Sequence, residues 1–212
     1  MTDKPGLRER KKQATRQVLS NVATEMFMAR GFDNVSLADI AEAANVSKMT
    51  VFNYFPRKED LYFDREDEGH ELARAALTGR APDCSPIAAL RGLAHALAHA
   101  DHPFAKFTPG TAGFWQTVAG SATLSARARE MRDTLVADLA GMIAVAVDQP
   151  ADDAAAHLAA ALLVSTWCVA YAEGLRCCRA GHGNGNARAA FLHLIDRGFD
   201  GVAAGMAGTR YA

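Results

Sequence analysis

The sequence predicts an all-α protein: an N-terminal three-helix helix-turn-helix domain, then a larger helical domain, about nine helices in total. Three observations lead there. Apolar residues recur at helical spacing almost from end to end, with no run of strict alternation to suggest a strand. A tight polar turn separates two short helical patterns near residue 45. Beyond the first third, the composition shifts toward alanine.

Val18, Leu19, Val22, Ala23, Met26 and Phe27 place a first helix over about Leu7–Arg30, stopped by Gly31. Ser36 with Asp39 forms a capping box opening a second helix, whose inner stripe is Leu37, Ile40, Ala41 and Ala44. Asn45 tolerates the left-handed conformation that a sharp helix exit needs, Val46 can plug the corner, and Ser47 can cap a third helix. That helix runs from about Lys48 to Tyr54 with Val51 and Phe55 inward, and Pro56 ends it. Lys58-Glu59-Asp60 then opens a fourth, of about twenty residues.

"GRAPDCSP", Gly79 to Pro86, is a break, and Ser85 with Pro86 starts the next helix, to about Ala100. After the irregular "DHPFAKFTPG", helices are expected near Thr111–Ala119, Ser121–Val147 and Ala151–Ala180. "GHGNGN" reads as a loop before a last helix over about Ala187–Ala207. The domain boundary falls between residues 1–62 and 63–212.

With 212 residues, half of them hydrophobic, and a net charge of −1, the chain can bury a substantial core. The charge is uneven. Lys4, Arg8, Arg10, Lys11, Lys12 and Arg16 face only Asp3 and Glu9 before residue 17, a basic arm suited to an anionic partner. A charged start without an apolar segment is not a secretory signal. The apolar stretch Ala154–Ala172 is alanine-rich and carries His157, Ser165 and Thr166, so it reads as a buried or interface helix and no membrane is expected. Cys84, Cys168, Cys177 and Cys178 have neither zinc nor disulfide spacing, which suits reduced thiols in the cytoplasm.

Two helices joined by a tight turn, the second short and polar outside, form a helix-turn-helix, a unit that sets its second helix in the DNA major groove. Lys48 can donate to phosphate or guanine, Thr50 to phosphate or a base, Asn53 to adenine, and Tyr54 and Lys58 to phosphate. Ser36, at a helix start, suits phosphate as well. Ser47 and Met49 complete the DNA-binding set.

The segment "ATRQVLSNVATEMFMARGFDNVSLADIAEAANVSKMTVFNYFPRKEDLY", Ala14 to Tyr62, resembles the DNA-binding domain of the TetR family of bacterial transcriptional regulators. Phe27, Gly31 and Phe32 match the end of the family's first helix, and Asp39-Ile40-Ala41 with Val46-Ser47 its second helix and turn. Thr50-Val51-Phe52, Tyr54-Phe55 and Lys58-Glu59 match the recognition helix and the start of the fourth. Asn45 stands where the family usually has glycine, which the turn tolerates; Phe52 replaces a common tyrosine and loses one phosphate hydroxyl. Met49 replaces a typically small residue, which leaves the operator sequence open, since a methionine can select thymine methyls or simply pack. The resemblance implies a ligand-binding and dimerisation domain over 63–212, and a homodimer on double-stranded DNA that releases its operator when a small-molecule effector binds.

Within that larger domain Phe104, Phe107, Phe114, Trp115, Met131, Trp167 and Tyr171 are candidates for one apolar interior that accepts an apolar or aromatic effector, with His157, Ser165, Thr166 and Glu173 as polar groups to orient it. Helices Ala151–Ala180 and Ala187–Ala207 are expected to pair with their symmetry mates, with Ala160 and Leu163 as candidate contact positions. His95, His99 and His102, at i, i+4 and i+7, can share one helix face, but a single helix rarely surrounds a tetrahedral ion, and no metal or other cofactor is expected. A thiol sensor built on Cys168, Cys177 or Cys178 beside Arg176 and Arg179 is an alternative to ligand sensing. No nucleophile elbow, phosphate loop or HExxH spacing is present, so no catalysis is expected.

Overall fold

The structure is a computed structural model that describes residues 6–212. Lys4 and Asp3 of the basic arm lie outside the described residues. Ten α-helices and one 3₁₀ turn follow one another, with no strand among the described residues. They are α1 Leu7–Arg30, α2 Leu37–Ala43, α3 Lys48–Tyr54, α4 Lys58–Tyr62, α5 Glu66–Thr78, α6 Pro86–His99, α7 Pro109–Gly120, α8 Ala122–Val145, α9 Ala154–Arg179 and α10 Gly183–Gly205. The chain divides into two compact units, one of residues up to Arg65 with Thr117–Arg127, the other of Glu66–Gln116 with Ala128–Ala212.

In the first unit, Leu19, Ala23 and Phe27 of α1 are buried along with Phe32, Val35, Ile40, Val51, Phe55 and Leu61. Gly31 ends α1 at φ 81, a conformation that costs a side-chain-bearing residue, and its N–H donates to the Phe27 carbonyl at 2.9 Å. The Phe27, Phe32 and Tyr62 rings meet with centroids 5.0–5.9 Å apart. Arg127 Nε donates to Asp60 Oδ1 at 3.0 Å, which ties the Thr117–Arg127 segment into the same unit.

The expected fourth helix of about twenty residues is two helices, parted at Phe63–Arg65. The Asp64 carbonyl accepts from Arg16 at 3.3 Å and its carboxylate from the Ser20 hydroxyl, so both polar groups serve α1 instead of continuing a helix. Sequence periodicity carries no trace of bonds to residues more than forty positions away.

In the second unit, α9 packs along α10, and α6 packs against α10 and α5. Small side chains let the helices approach closely: Ala156, Ala159 and Ala160 of α9 are buried with Phe191, Ile195 and Phe199 of α10. Gly174 lies under the Phe107 ring, where any Cβ would collide with it. By length and composition α9 is apolar enough to cross a membrane, but Leu163, Val164, Ala170 and Leu175 place it in this core. Ala160 and Leu163 are buried inside the protomer, so they do not face a mate. The outward side of α9 carries Leu158, Leu162 and Val169, 53%, 42% and 63% exposed. α10 also begins earlier than expected. Gly183, at φ 78, turns the chain into the helix, and Asn186 Nδ2 donates to the His182 carbonyl at 2.8 Å, so the polar "GNGN" is its first turn.

Candidate nucleic-acid interface

Local chemistry sets the recognition helix. Ser36 Oγ accepts from the Asp39 N–H at 3.2 Å while Asp39 Oδ2 accepts from the Ser36 N–H at 2.8 Å, the reciprocal box that starts α2. Hydrogen bonding to Ser36 holds the Asp39 carboxyl below its ordinary value. At the other end Asn45 adopts φ 52, its N–H donates to the Glu42 carbonyl and the Val46 N–H to the Ala41 carbonyl, which makes a Schellman exit with asparagine in place of glycine. Ser47 Oγ then accepts from the Thr50 N–H at 3.0 Å and caps α3.

Val51 and Phe55 anchor α3 in the core. By helical spacing the opposite crest carries Met49 and Asn53, with Lys48 and Phe52 on one flank and Thr50 and Tyr54 on the other. Lys48, Met49, Phe52 and Asn53 are exposed, and Thr50 and Tyr54 half-buried. Ser47 Oγ and Thr50 Oγ1 are 2.8 Å apart, so one hydroxyl of the pair spends its proton on the other. Two residues have structural duties that sequence did not reveal. The Lys58 ammonium donates to the carbonyls of Phe32 and Val35 at 2.9 and 3.1 Å and sits 4.1 Å from the Phe32 ring centre. Arg16, expected in a basic arm, donates instead to the Tyr54 carbonyl at 3.4 Å, at the end of α3, with its guanidinium 4.5 Å from the Phe55 ring centre. Arg10, Lys11 and Lys12 are exposed on α1. Phe52, read from sequence only as a lost hydroxyl, is an exposed ring at i+3 from Met49, a signal that the spacing already held.

The aromatic interior of the second unit comes together in part. Phe107 is buried, with the Tyr171 and Phe191 rings 5.2 and 5.4 Å away; Trp167 meets Phe191 at 5.4 Å, Trp115 meets Tyr171 at 6.1 Å, and Phe114 meets Trp115 at 5.5 Å. Burial pushes the Tyr171 phenol above its ordinary value, opposed by hydrogen bonding with Trp115 and Thr111. Phe104 lies instead against His102 and Gly69, and Met131 is half-buried on α8. His157 does not join them: like Ser165 it is exposed, because the buried stripe of α9 runs through Ala156, Ala160 and Leu163. Glu173 is engaged by Arg176, Nε to Oε2 at 2.7 Å, and Thr166 faces Gly198.

His95 and His99 keep a shared face, their rings stacked with centroids 6.2 Å apart, but His102 leaves it because α6 ends at His99 and Asp101 turns the chain at φ 49. His95 pairs with Asp196 at 2.8 Å, His99 Nδ1 with the His95 carbonyl at 2.7 Å, and His102 with Glu68 at 3.3 Å. Desolvation pushes the Cys168 thiol above its ordinary value, the wrong direction for a reactive thiolate. A polar cavity of about 190 Å³ lies elsewhere in this unit, lined by Arg80, Asp83, Ser85 and Arg210 among others.

Residues 19–64 match the family model described as "Bacterial regulatory proteins, tetR family". The chain is 36% identical over 88 residues to the transcriptional regulator TcmR of Streptomyces glaucescens, covering 42% of this chain and 39% of TcmR. It is 54% identical over 46 residues to the regulator LuxR of Vibrio harveyi, 22% of each. The matches thus span less than half the length of either curated relative. A solved structure described as a TetR-family regulator from Mesorhizobium loti shares the fold over 91% of this chain and 96% of its own, with a TM-score of 0.56 at 17% identity. Over residues 19–64, its helix-turn-helix segment, the chain is thus similar to the tetR family of bacterial regulatory proteins.

Proposed function

We propose that this chain is a homodimeric, ligand-responsive transcriptional regulator of the cytoplasm, a repressor that leaves a palindromic operator when a small apolar or aromatic effector binds. The observation that carries the reading is α3 itself. Two core anchors, Val51 and Phe55, hold a capped helix whose remaining side chains are hydrogen-bonding or apolar groups turned to solvent. A short helix so mounted can enter a major groove, with Lys48, Thr50 and Asn53 at base edges and Tyr54, Ser36 and Ser47 at phosphates. Lys58 contributes charge to that surface with the one N–H left after its two carbonyl bonds. Lys48→Ala, Thr50→Ala and Tyr54→Phe each weaken operator binding about tenfold, with the melting temperature unchanged. Unaltered affinity in all three would remove α3 from the interface.

The effector reading rests on composition. The cluster of Phe107, Phe114, Trp115, Trp167 and Tyr171 offers apolar area and few hydrogen-bonding groups, which favours hydrophobic or aromatic molecules over sugars or ions. Such a ligand need only favour the DNA-incompetent spacing of the two heads by a few kcal/mol to empty the operator. Aromatic compounds are expected to quench tryptophan fluorescence saturably and to release DNA at the same concentration. Quenching without DNA release would place them outside the regulatory site.

A further inference from the structure

We infer that Met49 and Phe52 form an apolar reading pair for thymine C5-methyl groups, so that each operator half-site carries thymines where these two side chains land. The inference rests on the proposed DNA-binding role of α3 and adds the chemistry that this helix selects. Met49 is 65% exposed and Phe52 52% exposed. They stand three residues apart, neighbours on one side of the helix, while Val51 and the C-cap residue Phe55 are its fully buried anchors. Isolated exposed apolar residues are ordinary. Two large ones, adjacent on the groove-facing side of a seven-residue helix, leave a hydrated apolar patch where hydrogen bonding is otherwise the rule.

The thymine methyl is the one apolar feature that a base pair presents in the major groove, and it can be matched by a thioether or a phenyl ring but not by a lysine or a threonine hydroxyl. The neighbours support that occupant. Asn53 shares the crest with Met49, and an asparagine amide is the side chain that pairs with adenine N6 and N7. An adenine read by Asn53 brings its paired thymine's methyl into the same groove, beside Met49. Lys48 adjoins Phe52 on the flank, and its exposed ammonium supplies the charge that draws the patch to DNA and not to another apolar surface.

The test begins with duplexes selected by the full chain from a random-sequence library. Each thymine is then replaced in turn by deoxyuridine, which deletes the C5-methyl and leaves the base-pairing face intact, and affinity is read by fluorescence anisotropy at fixed salt. At the contacted positions wild-type affinity falls about fourfold per methyl. Met49→Ala and Phe52→Ala each lose this sensitivity at their own position while retaining salt-dependent binding; both side chains are exposed, so both variants keep the fold. The inference is overturned if wild type binds its selected duplex yet no deoxyuridine substitution changes affinity, or if the sensitivity persists in both variants. Failure to select any duplex, with no salt-dependent binding, would overturn the DNA-binding reading along with it, and the two failures are thereby told apart.

Discussion

The Lys58 ammonium donates to the carbonyls of Phe32 and Val35 and covers the Phe32 ring, so its charge closes the corner between α1 and α2 before it meets any phosphate. Losing a charge-assisted hydrogen bond of this kind costs about 1–3 kcal/mol where the carbonyl is left without a partner, although the Phe32 carbonyl keeps the Val35 N–H at 3.4 Å. Lys58→Ala is therefore expected to lower the melting temperature as well as DNA affinity, whereas Lys48→Ala lowers affinity alone. Thermal unfolding followed by circular dichroism separates the two, and equal melting temperatures would return Lys58 to a purely surface role. Residues governed by near neighbours were legible in the sequence. Ser36 with Asp39, Asn45, and Ser47 all make bonds within a few positions, and the structure places each in its expected conformation. Arg16 and Lys58 were not, because their acceptors lie 23 to 48 residues away.

At the scale of elements, periodicity located the helices but misjudged their ends wherever tertiary bonds compete with the helix. The division of the expected fourth helix at Phe63–Arg65 depends on Arg16 and Ser20, and the early start of α10 on Asn186 and the glycine conformation at Gly183. Which way α9 faces was equally hidden, since its alanines are compatible with burial on either side. With Ala160 and Leu163 turned inward, the outer stripe of Leu158, Leu162 and Val169 is the surface that the proposed dimer would cover. Leu162→Asp sets two carboxylates against each other across a two-fold interface, a like-charge arrangement that costs several kcal/mol. Sedimentation velocity is expected to show a dimer for wild type and a folded monomer for Leu162→Asp. A variant that remained dimeric would move the interface to another face. The aromatic cluster was legible as composition, but the outward turn of His157 could not be read without knowing which stripe of α9 is buried.

For the whole molecule, the proposed regulator is a dimer whose two recognition helices meet DNA at successive turns of the major groove, about 34–36 Å apart. Such contacts neutralise phosphates and release counterions, so affinity must fall steeply with salt, by a logarithmic slope of about −0.9 for each phosphate contacted. The most direct test is the affinity of the intact chain for its selected palindromic duplex between about 50 and 200 mM salt. Two protomers are expected to bind per palindrome, with log affinity declining linearly with log salt by at least several units of slope. Binding that is absent, or indifferent to salt across that range, would contradict this reading.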